Sequence, residues 1–243
     1  MRIAIFSDIH GNLPALQAVM GDFASQKLET VYCLGDLVGY GASPNEITEY
    51  IRSAGIATIM GNYDDGVGFD RDECGCAYRE PIEKELGERS FAWTKAHTTP
   101  ENKAFLRTLL AELRFNVDNK RVLLVHGSPR KLNEYLFEDR PLSSFQRLAA
   151  SSNADIIAFG HTHKPYVKEV DGVTFLNVGS VGKPKDGDWR ACYAVLESGA
   201  APRVDFQRVT YDVQKAAAAI RATELPHEFA ADIETGGTRI PNH

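Results

Sequence analysis

Five short apolar runs in this chain each lead into an Asp, Asn or His flanked by glycine. "RIAIFS" (2–7) leads to Asp8 and His10, "VYCL" (31–34) to Asp36, and "IATIM" (56–60) to Asn62. "RVLLVH" (121–126) ends on His126, and "DIIAFG" (155–160) runs into His161 and His163. Runs of this length, rich in β-branched residues and apolar on both faces, read as buried parallel strands. In a parallel sheet the loops at the strand carboxyl ends converge, and ligands bind there. Such a fold gathers seven polar side chains at one edge.

The segments between the runs have helical periodicity. Leu13, Leu16, Val19, Met20 and Phe23 form one stripe. Ser43, Pro44 and Glu46 read as a capping box opening a second helix, with Ile47, Tyr50 and Ile51 as its stripe and Gly55 as its stop. Strands alternating with helices define an α/β class built from βαβ units. "GNYDD" (61–65) closes the third run with turn formers and reads as a tight turn. A long loop (66–81), a helix over 82–97 and a second helix opened by Thr99–Pro100 then intervene, and the loop is long enough to form a lid or substrate wall. After residue 163, "YVKEV", "VTFLNV", "ACYAVLE" and "RVDFQRV" suggest antiparallel strands, followed by a helix at about 212–223 and a polar tail. The expected organisation is one domain over 1–211 with a 66–115 insertion, then a helix and tail over 212–243.

A formal charge of −6 gives no general attraction to long nucleic acid or an anionic membrane. No apolar stretch approaches the roughly 20 residues of a membrane span, and the first residues are too briefly apolar for a signal peptide. Four cysteines are too few for a disulfide scaffold, so the simplest home is a reducing cytoplasm. "CGC" (74–76) is not a C-x-x-C motif and reads as loop.

Asp8/His10 and His161/His163 are i, i+2 pairs, which share one side of an extended backbone. Seven ligands are too many for one closed four-coordinate site but suit two adjacent metals that share a carboxylate. A set of Asp, Asn and His without Cys favours Mn²⁺, Fe or Zn²⁺ over Ca²⁺ or a zinc knuckle. The remaining histidines, His97, His227 and His243, read as surface or packing residues.

The ordered set D-x-H (8–10), G-D-x-x-G (35–39), G-N (61–62), H-G (126–127) and G-H-T-H (160–163) resembles the calcineurin-like metallophosphoesterase family. "NVGSVG" (177–182) resembles that family's N-P-G-S segment, with Val178 in place of proline. The resemblance implies a four-layer αββα sandwich of two mixed β-sheets with flanking helices. It also implies two divalent transition metal ions: Asp8, His10 and His163 on one, Asn62, His126 and His161 on the other, Asp36 bridging. A metal-bridging hydroxide would attack phosphorus.

One position departs from the family. Where its phosphatases usually carry histidine after G-N, this chain has Tyr63, followed by Asp64. A phenol with a pKa near 10 is a poor proton source at neutral pH. Three readings stay open. The substrate has a leaving group that needs little help (a small phosphodiester, nucleotide polyphosphate or phosphomonoester), another group supplies the proton, or the protein is a catalytically silent metal-binding scaffold. Phosphoprotein hydrolysis is an alternative enzymatic reading. The candidate catalytic set is therefore Asp36, Asn62, Tyr63 and Asp64. Arg79 and Arg130 are candidate phosphate contacts, and Tyr63 and Tyr78 candidate stacking partners for a base. The expected partner is a small phosphorylated substrate, with neither long nucleic acid nor membrane.

Overall fold

The structure, a computed structural model, describes residues 1–78, 80–199 and 202–238. Strands β1 (Arg2–Phe6), β2 (Thr30–Cys33) and β3 (Ala57–Thr58) run parallel. The hairpin of β9 (Ala191–Glu197) and β10 (Arg203–Val209) adds to β1 antiparallel, in the order β10-β9-β1-β2-β3. A second five-stranded sheet has the order β4-β5-β6-β8-β7. It contains β4 (Glu112–Val117), β5 (Lys120–Val125), β6 (Ile156–Phe159), β7 (Tyr166–Val170) and β8 (Val173–Asn177).

Side-chain alternation along these strands creates the layers. Ile3 and Ile5 of β1 point into the gap between sheets and meet a cluster with Leu124, Ile156 and Leu176. Ala4 and Phe6 point outward and join Leu16, Val19 and Phe23 of helix α1 (Leu13–Ser25). In the second sheet Leu123, Val125, Ile157 and Phe159 face outward beneath Phe145 and Leu148 of α6 (Leu142–Ser152). Both faces of both sheets are thus apolar, and the result is the expected αββα sandwich.

Several local expectations change. "GNYDD" is not a turn: Asn62–Gly68 forms helix α3, with Gly61 extended at its N-cap. Asp64, three residues into the helix, accepts the Gly61 N–H at 3.0 Å, which stabilises a start that Asn and Gly propensities alone disfavour. The loop accordingly begins after Gly68 and ends at α4 (Pro81–His97), which is followed by α5 (Pro100–Leu106). Helix α2 (Pro44–Ala54) starts at Ser43, but the Ser43 side chain makes no capping bond, so the capping box is absent. Its buried face is Ile47, Thr48 and Ile51, while Tyr50 is exposed. The strands after residue 163 are not all antiparallel, because β8 pairs parallel with β6. The polar tail carries a helix of its own. Beyond α7 (Val213–Arg221), α8 (Glu228–Thr235) buries Phe229, Ala230 and Ile233 in the same core as Phe6. Among the described residues no helix is long and apolar enough to cross a membrane.

Candidate metal centre

The carboxyl ends of β1, β2, β3, β5 and β6 meet at one edge of the sandwich and bring the seven candidate ligands together, all buried. The backbone there is unusual. Asp8 (φ 56°), His10 (φ 49°), Asp36 (φ 53°), His161 (φ 64°) and His163 (φ 60°) all lie in the left-handed region. Each such residue costs on the order of 1–3 kcal/mol and persists only where the surroundings over-determine it. Here they do. Asp8 N–H donates to Gly35 O (3.0 Å), His10 N–H to Asp36 O (3.0 Å), and Gly160 N–H to His126 O (2.9 Å). The i, i+2 pairs are therefore not extended. His161 and His163 part company, one to each of two clusters.

The first cluster is Asp8, His10 and His163; the second is Asp36, His126 and His161. Within each, one ligand atom per residue lies within 4.8 Å of the others. The hydrogen-bond network assigns the histidine tautomers. The Nδ1 atoms of His10, His126 and His163 face the carbonyls of Val38 (3.0 Å), Leu34 (2.8 Å) and Lys183 (2.5 Å), so each Nδ1 carries a proton and donates it. In a neutral ring Nε2 is then a bare lone pair. Yet His10 Nε2 and His163 Nε2 lie 3.1 Å apart, and His126 Nε2 lies 3.1 Å from Asn62 Oδ1. The Asn62 amide nitrogen is committed to Cys74 O (3.0 Å) and Cys76 Sγ (3.3 Å), so Oδ1 is the atom turned to His126. Ligand atoms thus converge in both clusters, and positive charge relieves them: at His126 a proton does so, held there by Asp36, and a bound cation would take its place. Asp8 Oδ1 and His161 Nε2 are likewise buried with no hydrogen-bond partner. Asp36 links the clusters: its Oδ2 lies 3.3 Å from His126 Nε2 and 3.7 Å from His10 Nε2. These residues fit a pair of cations.

Charge follows the same geometry. Burial opposes ionisation of Asp8, but His163 and His10 hold its carboxyl well below the usual range. Burial also disfavours a charged His126, yet the adjacent Asp36 carboxylate lifts its pKa to about 10. Burial and the neighbouring His126 push His161 down to about 3. Burial, reinforced by Lys185, pushes His163 down to about 4. Two of the histidines are thus held neutral, the form in which imidazole binds metal.

Four sequence expectations change around the centre. Asp64 does not face the reacting side. Its carboxylate accepts N–H groups from Asp36 (2.8 Å), Leu37 (2.9 Å) and Gly61 (3.0 Å), fastening α3 to the end of β2. Tyr63 contributes its backbone N–H, which donates to Asp36 Oδ1 at 2.8 Å. Its ring is buried against Tyr40, Phe91 and His10. The hydroxyl lies near Tyr40 and Ser90 without a hydrogen bond of normal geometry to either, and burial raises its pKa well above 10. A buried, unpaired phenol neither delivers protons nor stacks on a base. Tyr63→Phe is therefore expected to keep kcat within about threefold. A general acid contributes about 10²–10⁴-fold, so a hundredfold loss in steady-state assays would return the phenol to the chemistry.

Arg130 does not offer a free guanidinium either. It ion-pairs with Glu134, which also takes Arg140 (2.7 Å), and burial notwithstanding the two arginines hold Glu134 at about 2. Arg79 lies outside the described residues. Cys74 and Cys76 are joined as a disulfide, where the sequence points to plain loop residues in a reducing compartment. Gly75 at φ 66° turns the chain back so that the two sulfurs meet.

Other residues around the centre escape sequence reasoning. Asn177 donates to Gly160 O (2.8 Å) and Thr162 Oγ1 (2.9 Å), and Ser180 Oγ donates to Asp8 O (2.8 Å). The "NVGS" segment therefore tethers both histidine-bearing loops. Tyr40 packs edge-on against His10 (4.9 Å between centroids), and Tyr135 lies over His161 (4.0 Å). Lys183 is ion-paired to Asp232 of α8 at 2.5 Å, and the half-buried Lys185 has its pKa lowered to about 8 by burial and by Lys183. The cue in the sequence is their place just after "NVGSVG", Lys183 directly and Lys185 two residues on.

Fold and centre together define an α/β sandwich with candidate metal ligands gathered at one sheet edge. Comparison with known proteins identifies the family. The calcineurin-like phosphoesterase superfamily domain matches residues 1–200. The chain is 34% identical to an uncharacterized protein of Methanocaldococcus jannaschii, over 92% of this chain and 93% of that one. It is 26% identical to the phosphodiesterase YfcE of Escherichia coli, over 82% and 88%. The crystal structure of a metallophosphoesterase from Sphaerobacter thermophilus superposes with a TM-score of 0.75 at 29% identity, covering 97% of this chain and 99% of that one. This chain belongs to the calcineurin-like phosphoesterase superfamily, metal-dependent hydrolases of phosphoric esters.

Proposed function

We propose that the protein hydrolyses a small phosphodiester or nucleotide polyphosphate with two divalent transition metal ions, Mn²⁺, Fe or Zn²⁺. Asp8, His10 and His163 would hold one ion, Asn62, His126 and His161 the other, with Asp36 between. The observation that carries this reading is the paired convergence of buried ligand atoms, His10 on His163 and His126 on Asn62, on either side of one buried carboxylate. When bound, two such ions acidify a water and neutralise phosphoryl oxygens. The chain's own part is to hold seven ligands, five of them at positive φ, and to fix the histidine tautomers through Val38, Leu34 and Lys183.

The absence of an acid at Tyr63 sets the substrate. A leaving group that needs a proton, such as a simple alkoxide, is served poorly, whereas aryl and phosphate leaving groups depart unaided at neutral pH. That favours reactive diesters and phosphoanhydrides over alkyl monoesters, including phosphoserine in a protein. The complete ligand set favours an enzyme over a silent scaffold.

Chelation tests the cation requirement. Removing metal with EDTA should abolish turnover of bis(p-nitrophenyl) phosphate and lower the Tm, since Asp8 and Asp36 are then buried without the cation. A ligand present at 100 times its Kd stabilises by about 2.7 kcal/mol, enough to see in a melting curve. Unchanged melting and turnover after verified metal removal would refute the proposal.

A further inference from the structure

Beside the metal centre lies a cavity of about 180 Å³ that no ligand residue accounts for. Its lining includes Tyr40, Tyr78, Tyr135, Lys183, Lys185 and Asp232. Two of these walls are shared with the centre itself: Tyr40 touches His10 from one side and Tyr135 covers His161 from the other. Lys185 is attached to the same edge, its backbone N–H donating to His163 O at 3.3 Å. The cavity thus adjoins the centre through Tyr40, Tyr135 and the Lys185 backbone.

The two lysines are not equivalent. Lys183 is neutralised by Asp232 at 2.5 Å and sits over the rings of Tyr40 (5.1 Å) and Phe229 (5.3 Å), so α8 is fastened across the cavity. The Lys185 ammonium makes no ion pair or hydrogen bond among the described residues. Glu83 and Asp232 share the wall and attract Lys185, and Asp232 is already paired with Lys183; the half-buried Lys185 ammonium fits an anionic group entering from the metal centre. The tyrosines fit a planar ring beyond it. Both features exceed what a simple dialkyl diester offers.

Resting on the phosphoesterase reading above, we propose that this cavity is a specificity pocket for nucleoside phosphoanhydrides. Lys185 takes the phosphate that is not transferred, and Tyr78 and Tyr135 flank the base. For a nucleoside diphosphate, the oxygen of water bonds to the β-phosphorus as the bond from that phosphorus to the bridging oxygen breaks. The electron pair leaves with the α-phosphate. The products are a nucleoside monophosphate and inorganic phosphate, with one proton released to solvent. A phosphate leaving group needs no acid at neutral pH, consistent with a buried Tyr63.

The test compares ADP with bis(p-nitrophenyl) phosphate on the metal-loaded full chain, as wild type, Lys185→Ala, Lys185→Arg and Tyr78→Ala. The expected result is that Lys185→Ala lowers kcat/KM for ADP about tenfold more than for the diester, through KM, with partial rescue in Lys185→Arg. Tyr78→Ala should discriminate in the same direction. Equal losses on both substrates, at unchanged Tm, would overturn the pocket assignment. If the wild type cleaves the diester but not ADP, the pocket proposal falls and the phosphoesterase reading stands. If it cleaves neither while holding two metals, both fall.

Discussion

Asp36→Asn should lower turnover of bis(p-nitrophenyl) phosphate by more than about a hundredfold and reduce the metal content of the purified protein. Residues that merely orient a ligand already account for about 10–100-fold in metal affinity or activity. Asp36 does more. One oxygen accepts the Tyr63 N–H, and the other faces His126 and His10, one histidine from each cluster. An amide in its place removes the negative charge and sets an NH₂ group against either the Tyr63 N–H or the cation site. Steady-state kinetics with metal analysis of both proteins checks this. Equal turnover with equal metal content would remove Asp36 from the centre.

The second large effect concerns stability. Asp64→Ala should destabilise the fold by about 3–5 kcal/mol, the range for breaking a buried charged network, and lower the Tm by roughly 10 °C for a chain of this size. Asp64 is fully buried and satisfies three backbone donors that have no other acceptor, those of Asp36, Leu37 and Gly61. Burial, with Asp36 close by, raises its pKa to about 7. Asp64→Asn should be milder, because the amide oxygen can still serve Asp36 and Gly61. Denaturant titration of the three proteins decides. An unchanged midpoint for Asp64→Ala would show that α3 is held by other contacts.

Much of this architecture is legible in the chain because strands that are apolar on both faces leave little choice of fold. Ile3/Ile5 and Ala4/Phe6 serve two different cores, and that pattern is visible in "RIAIF". The candidate ligands are legible for a related reason: each follows directly on a strand end, where chain direction already brings them together. What the sequence hides is set by tertiary contact. Helix α3 contains Asn, two Asp and two Gly, and no propensity scale favours it; the Asp64 clamp does. Strand β4 alternates Glu112, Arg114 and Asn116 with apolar residues at a sheet edge, a weak signal beside the central strands. The tail helix α8 follows Pro226 and has no capping side chain, so only its docking on the core reveals it. Positive φ at five candidate ligands has only a weak local signal, the greater tolerance of Asp and His for the left-handed region. The pairing of Lys183 with Asp232 across 49 residues has none.

The most direct test of the account is an anomalous-scattering map of crystals grown from Mn²⁺-loaded protein. The account predicts two peaks about 3.5–4 Å apart, one among Asp8, His10 and His163, the other among Asn62, His126 and His161, with Asp36 between them. A single peak, or none at these residues in protein that hydrolyses the diester, would contradict it.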